Sequence, residues 1–145
     1  MLLTNKQKNL QHSVEPITEI NIRCYVHFNR QEVVHNNGTF YMGPYFNPHM
    51  SKLVNLSYID GSTRAMSKSF YVTDRILQQL NMNIMQYFKN VILNSDDYRD
   101  FVNETRQTLL RERQMEIKRK HNIDMDLDSI DYNIQICYNI DKVGI

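Results

Sequence analysis

The sequence contains no apolar run near the ~20 residues that a membrane-spanning helix needs. Its four glycines are too few for a phosphate-binding loop, and no serine stands in nucleophile-elbow spacing. The sequence lacks a strong excess of either charge, because it has 17 basic and 16 acidic residues and a net charge of +1. Such a chain has no global field to attract nucleic acid or an anionic membrane, although a local patch can still do so.

Cysteine is also scarce. Of the two present, Cys24 lies on the apolar side of its segment and Cys137 on the polar side. We therefore expect two free thiols in a reducing compartment, with a bridge between adjacent strands as the alternative. The first residues lack the apolar segment of a secretory signal, so we do not expect secretion through a signal peptide.

The clearest pattern in the chain is the alternation over residues 130–141, which predicts a strand with one apolar and one polar side. The apolar side carries Ile130, Tyr132, Ile134, Ile136, Tyr138 and Ile140. Such a strand is not stable alone in water, so we expect its apolar side to be covered. Residues 18–28 alternate in the same way and predict a second strand beside which the C-terminal strand can pair.

Two short turn signals predict hairpins between these strands. Asn37-Gly38 favours a type I′ turn between residues 31–36 and 39–42. Asp60-Gly61 predicts a second hairpin, between residues 52–59 and 63–72, with Tyr58 on its apolar side. The N-terminal half thus reads as a meander of about five strands, interrupted by an aromatic loop at residues 43–49.

The apolar period then changes from two residues to 3.6. Thr73 is a plausible N-cap for a helix of five turns that ends at Asn94. Its apolar stripe consists of Ile76, Leu77, Leu80, Ile84, Phe88, Val91 and Ile92. Ser95 is the predicted N-cap of a second helix, and Asp96 and Asp97 favour its positive end.

The second helix changes character along its length and is expected to stop at Asn122. Between residues 111 and 121 its only apolar residues are Met115 and Ile117. We therefore predict that this distal half leaves the core and offers a partner-binding surface, with a simply solvated helix end as the alternative. The residues assigned to that surface are Arg111, Arg113, Met115, Ile117, Lys118, Arg119 and Lys120.

These elements predict an α+β fold of the two-layer type. We expect an antiparallel sheet of about five to six strands, with two amphipathic helices on one face and a returning C-terminal strand. Residues 1–17 are predicted to be an extended arm ordered by neighbouring subunits, and residues 18–145 a single domain. A small barrel with the helices outside is the alternative fold.

No motif predicts a catalytic residue, a metal site or a cofactor. Asp124, Asp126 and Asp128 begin like a calcium loop, but Ser129 and Gln135 stand where glycine and glutamate are needed. The triplet at residues 116–118 matches the end of a nuclease pattern, yet it lies on a charged helix instead of a strand. Cys24 and His27 have the spacing of zinc ligands, but they face opposite sides of a strand, and no second close pair completes a zinc site.

The function predicted from the sequence is that of a non-enzymatic structural or assembly protein, packed against copies of itself or other subunits. A single alanine against sixteen asparagines suggests an AT-rich genome, as in phages, other viruses, some protists and some bacteria. A small two-layer domain with an arm resembles, in general plan only, the connector, neck and tail-completion proteins of tailed phages. The expected location is therefore the virion or the host cytoplasm.

Two alternatives remain open. The first is a small nucleic-acid-binding or nucleic-acid-processing protein that uses the basic residues of 111–121. The second is a phage-encoded inhibitor of a host protein, which the sequence does not separate from an assembly subunit. No membrane partner is expected.

Overall fold

The computed structural model describes residues 15–34 and 56–143. In that part of the chain the fold is α+β. The strands are β1 (Ile17–Phe28), β2 (Gln31–Val34), β3 (Leu56–Ile59), β4 (Ser62–Thr73) and β5 (Tyr132–Val143). The α-helices are α1 (Asp74–Leu80), α2 (Ile84–Tyr87), which continues as a π-helical turn (Phe88–Ile92), and α3 (Asp96–His121). A 3₁₀ turn, Leu127–Ser129, precedes β5.

Strand β1 is the centre of a three-stranded antiparallel sheet of order β4-β1-β5. Its even-numbered side chains are all buried, as the sequence alternation predicted. Between β1 and β4, the side chain of Asn21 bonds to Ser69 and that of His27 bonds to Thr63. The residue number therefore rises by six along β1 while it falls by six along β4. This descending register is that of an antiparallel pair. The predicted pairing of the C-terminal strand beside the 18–28 strand is confirmed.

A second, two-stranded sheet replaces one of the predicted hairpins. Strand β3 pairs with β2, with Gln31 opposite Ile59, whereas β4 pairs with β1. The predicted hairpin around Asp60-Gly61 is therefore wrong. Among the described strands the predicted sheet of five to six strands is also wrong, because β3 and β4 belong to different sheets. A Cβ at Gly61 would lie 2.8 Å from the carbonyl oxygen of Phe28. Glycine is thus needed here for close approach to the end of β1.

The side chains of β3 also face the opposite way from the prediction. Ile59 is buried, and Tyr58, which was assigned to the apolar side, is 53% exposed. The guanidinium of Arg30 lies 4.8 Å from the centre of the Tyr58 ring. A single-residue shift in register exchanges the two sides of a strand, and pairing with β2 instead of β4 set that register.

The first predicted helix is interrupted. Thr73 is its N-cap, as expected, and its side chain accepts a hydrogen bond from the backbone N–H of Ile76. However, α1 ends at Asn81, which has a left-handed φ of 54°. Asn83 then starts α2 with a capping box that it shares with Gln86. The local side-chain hydrogen bonds of the capping box therefore start a new helix, although the continuous apolar stripe predicted an unbroken one.

Helix α3 begins and ends where the sequence predicted. The Ser95 hydroxyl accepts from the N–H of Tyr98, and Asn122 follows the last turn with φ 55°. The prediction that the distal half leaves the core is wrong. Arg113 is 5% exposed and Ile117 is 1% exposed, so this half of the helix is buried along one side.

The contacts divide the described residues into two compact units. The first unit contains residues 15–24, 66–105 and 136–143. Its core joins even-numbered residues of β1 to the helices: Ile20, Ile22, Cys24, Phe88, Ile92 and Phe101. Full burial of each isoleucine or phenylalanine side chain contributes about 1.5–3 kcal/mol. Helices thus cover one face of the sheet within this unit.

The second unit contains residues 25–34, 56–65 and 106–135. Its buried apolar residues are Val26, Phe28, Ile59, Leu109, Leu110, Ile117, Met125 and Ile130. The side chain of Gln114 donates to the carbonyl of Met125 at 2.8 Å and ties the segment after α3 to the helix. The distal half of α3 is the main helical element of this core.

Both cysteines are free, as predicted, with Cys24 buried and Cys137 half-buried. Burial raises the pKa of the Cys24 thiol. Most of the predicted arm, the Asn37-Gly38 hairpin and the aromatic loop lie outside the described residues. At the end of the arm, the Glu15 carboxylate pairs with Arg75, and the Pro16 carbonyl accepts from the N–H of Asp74 at 3.1 Å.

Candidate partner-binding surfaces

Arg113, predicted as a surface residue, is the buried polar centre of the second unit. Its guanidinium donates to the carbonyl of Asp60 and lies 3.4 Å from both the Ser62 hydroxyl and the Glu116 carboxylate. It also lies 5.2 Å from the centre of the Phe28 ring. A buried charge requires such compensation, so this arginine holds the unit together and is not free for a partner.

Glu116 is the counter-charge of this centre. One carboxylate receives Arg64 at 3.2 Å, Lys120 at 3.3 Å and Arg113 at 3.4 Å. Burial raises the pKa of this carboxyl, but the hydrogen bond and charge of Lys120 and the charges of Arg113 and Arg64 outweigh burial. The pKa of Glu116 therefore lies below its ordinary value.

Beside this centre lies a cleft of about 230 Å³. The helix side of it includes Met115 and Arg119, and the strand side includes Phe28 and Arg64. The Met115 side chain is 67% exposed, the largest exposed fraction among the exposed large apolar residues described. A flexible thioether beside arginines suits a protein partner with an apolar group and an acidic rim.

The predicted surface is therefore only partly assembled. Arg111, Met115, Lys118, Arg119 and Lys120 are exposed, whereas Arg113 and Ile117 belong to the core. Lys118 pairs with Asp124 at 3.1 Å, and Lys120 pairs with Glu116. These ion pairs reduce the positive charge that the sequence pattern indicated.

A second surface lies on the apolar side of β5, which we expected to be covered. Ile134 is 37% exposed and Tyr138 is 48% exposed. The Tyr138 ring still contacts Phe88, with 4.4 Å between ring centres. Among the described strands, β5 is also at the edge of the sheet order β4-β1-β5. The alternation in the sequence identified these residues, but only the order of strands shows that they border an edge.

The opposite face of the sheet is polar. His27 bridges β4 and β5, with one ring nitrogen 2.9 Å from the Thr63 hydroxyl and the other 2.8 Å from the Gln135 side-chain oxygen. Tyr71 donates to Glu19 at 2.9 Å on the same face. These bonds use the histidine and carboxylate in structural contacts across the strands.

The acidic residues before β5 do not form a metal centre in this structure. Within residues 15–34 and 56–143, no three histidine, cysteine or acidic side chains lie close enough together to hold a metal ion. Asp131 instead accepts from the side chain of Asn29 at 3.1 Å, and Asp124 pairs with Lys118. None of the helices in these ranges is both long enough and apolar enough to cross a membrane.

Comparison with known proteins adds no relative: no family model, no curated protein and no solved structure matches this chain.

Proposed function

We propose that this protein is a non-enzymatic assembly subunit that binds other subunits of a larger particle, as in a virus or phage. The observation that carries the proposal is the edge strand β5, where Ile134 and Tyr138 remain partly exposed on a strand with an apolar side. Exposed apolar residues at a strand edge favour pairing with another chain. The amino-acid composition, typical of an AT-rich genome, agrees with a viral source, and a connector, neck or tail-completion role is the specific form that we propose.

The exposed Met115 beside the cleft supports a second contact in the same assembly. It lies on a rigid helix whose neighbouring Arg113 and Ile117 are buried, so the surface is held in a fixed position. An interface of this kind needs an apolar anchor with a polar rim. We expect Arg111 and Arg119 to form part of that rim, because both are exposed on the same helix.

The test follows the endogenous chain through a sedimentation gradient of material from the organism that encodes it. We expect the chain to sediment with a large particle, at a fixed ratio to the other components. Met115→Glu should reduce its incorporation at least tenfold, while Gln107→Glu, which adds the same charge about two turns earlier on α3, should not. If the chain sediments only at the size of a monomer or dimer, the proposal is wrong.

The second candidate function is nucleic-acid binding by the basic end of α3. The observation in its favour is that Arg111, Lys118 and Arg119 are all exposed. Binding by phosphate contacts should weaken steeply with salt and fall on charge reversal at Lys118 and Arg119. Arg113 is unsuitable for that test, because reversing a buried charge would disrupt the fold. Affinity unchanged by these reversals would exclude this candidate.

A further inference from the structure

The two edges of the three-stranded sheet differ in how they are protected. Strand β4 carries the cations Arg64 and Lys68 along its length. Strand β5 has no charged residue, proline or glycine between Tyr132 and Ile140. Charges and prolines are the usual means by which proteins prevent edge strands from pairing. Over these nine residues the β5 edge lacks this protection, because its charged residues, Asp141 and Lys142, lie at one end. The only neighbour of β5 among the described strands is β1.

We propose that β5 pairs antiparallel with β5 of a second copy of this chain, around a two-fold axis at Cys137. The inference rests on the proposed assembly function and specifies one of its contacts. A symmetric dimer uses the same strand on both subunits, so the sequence of β5 must be complementary to its own reverse. That requirement can be checked residue by residue.

The register centred on Cys137 satisfies it. Ile134 then lies opposite Ile140, and Ile136 lies opposite Tyr138, so apolar residues meet on one face. On the other face the opposing pairs are Cys137 with Cys137, Gln135 with Asn139, and Asn133 with Asp141. Directly opposed residues lie on the same face of a sheet, and each of these pairs is matched in polarity.

Neighbouring registers are less suitable. If the two-fold axis lies midway between two neighbouring residues, apolar residues lie opposite polar ones along the whole strand. Centring on Ile136 places Asp131, the residue just before β5, opposite Asp141 twice, and like charges directly opposite are destabilising. Centring on Tyr138 places Lys142 opposite the aliphatic Ile134, whereas the Cys137 register places Lys142 opposite Tyr132, whose aromatic ring can contact a cation. The Cys137 register is therefore favoured by both polarity and charge.

The dimer also explains the size of the sheet. In one copy this sheet has three described strands, and its two outer strands, β4 and β5, are edges. Pairing of β5 would give a sheet of six strands in the order β4-β1-β5-β5-β1-β4. The new outer edges are then the two β4 strands, which carry Arg64 and Lys68. The unprotected edge becomes interior, and the charged edge remains outside.

Disulfide trapping tests this arrangement. Opposed Cβ atoms lie about 4.5–5.5 Å apart in an antiparallel pair, close to the 3.5–4.5 Å of a disulfide. The purified full-length chain, at increasing concentration, is treated with a mild oxidant and analysed without reductant. We expect a cross-linked species of twice 17.4 kDa. Cys137→Ser should abolish it, whereas Cys24→Ser should not, because Cys24 is buried.

Moving the cysteine tests the register. In a chain with Cys137→Ser and Asn139→Cys, the two thiols lie four positions apart along the paired strands, and cross-linking should slow at least tenfold. Equally fast cross-linking from residue 139 would overturn the register, because it would indicate random collision or another alignment.

A charge at the edge tests the interface itself. Ile134→Lys should raise the dimer dissociation constant at least tenfold in sedimentation equilibrium, whereas Tyr71→Lys, at an exposed aromatic residue of β4, should leave it unchanged. A dimer unaffected by Ile134→Lys, or a chain that stays monomeric at all concentrations, would overturn this inference. The assembly function is judged separately, because incorporation into a particle is measured on the endogenous chain.

Discussion

Replacing Arg113 tests whether the buried guanidinium holds the second unit together. In Arg113→Ala the carbonyl of Asp60 loses its donor, the Phe28 ring loses its cation, and a cavity replaces a side chain that is 5% exposed. A hydrogen bond from a charged group contributes about 1.5–3 kcal/mol. The cation–π contact adds about 0.5–2 kcal/mol. The two contacts at 3.4 Å are too long to add much.

Breaking a buried ion pair costs about 3–5 kcal/mol when the remaining charge has no other partner. Here Glu116 keeps Arg64 and Lys120, so we expect the lower end, about 3 kcal/mol. For a chain of this size, that corresponds to a decrease in Tm of roughly 6–12 °C. Arg113→Met should cost less, about 1–2 kcal/mol, because the methionine fills the space over Phe28 but leaves the Asp60 carbonyl without a donor.

The measurement is urea unfolding followed by circular dichroism, with the free energy of unfolding compared at constant slope. Arg111→Ala is the matched control, because Arg111 lies two residues away on the same helix and is exposed. It should change stability by less than about 0.5 kcal/mol. If Arg113→Ala were no more destabilising than Arg111→Ala, the view of Arg113 as a structural centre would be wrong.

Three further predictions concern other positions. The pKa of Glu116 is lowered in the folded state, so the stability that its carboxylate contributes is present above the unfolded pKa and is lost as the pH falls through the lower folded pKa. Between pH 7 and pH 3, Glu116→Gln should therefore lose less stability than the parent. Equal losses in the two proteins would contradict this. The Thr105 hydroxyl is buried without a hydrogen-bond partner among the described residues, so Thr105→Val should raise the free energy of unfolding by up to about 1 kcal/mol. If Thr105→Val instead lowered the free energy of unfolding by more than about 1 kcal/mol, the hydroxyl would have a hydrogen-bond partner. Asn81 ends α1 in a left-handed conformation, so thermal melts should show a loss of about 1 kcal/mol for Asn81→Ala and none for Asn81→Gly; equal effects would refute a conformational origin.

Several features of the fold could be predicted because they depend on residues that are close in sequence. Alternation predicted β1 and β5 nearly to their ends, and the side chains of Thr73 and Ser95 predicted the starts of two helices. The break at Asn81 also has a local signal, since Asn83 and Gln86 form a capping box, but the continuous apolar stripe concealed it. Such patterns report the conformation that a segment prefers, because each bond spans only three or four residues.

The sequence by itself therefore determined the elements and their two-sided character. Only the tertiary structure decided that β3 pairs with β2, that β5 lies at an edge, and that Arg113 is buried. The sequence classified Arg113 as a surface residue because arginine is rarely buried without partners. Its main acceptor, the carbonyl of Asp60, is 53 positions away in the chain. A local pattern contains no information about which distant groups will meet, and those meetings determine which charges are buried and which strand edges remain open.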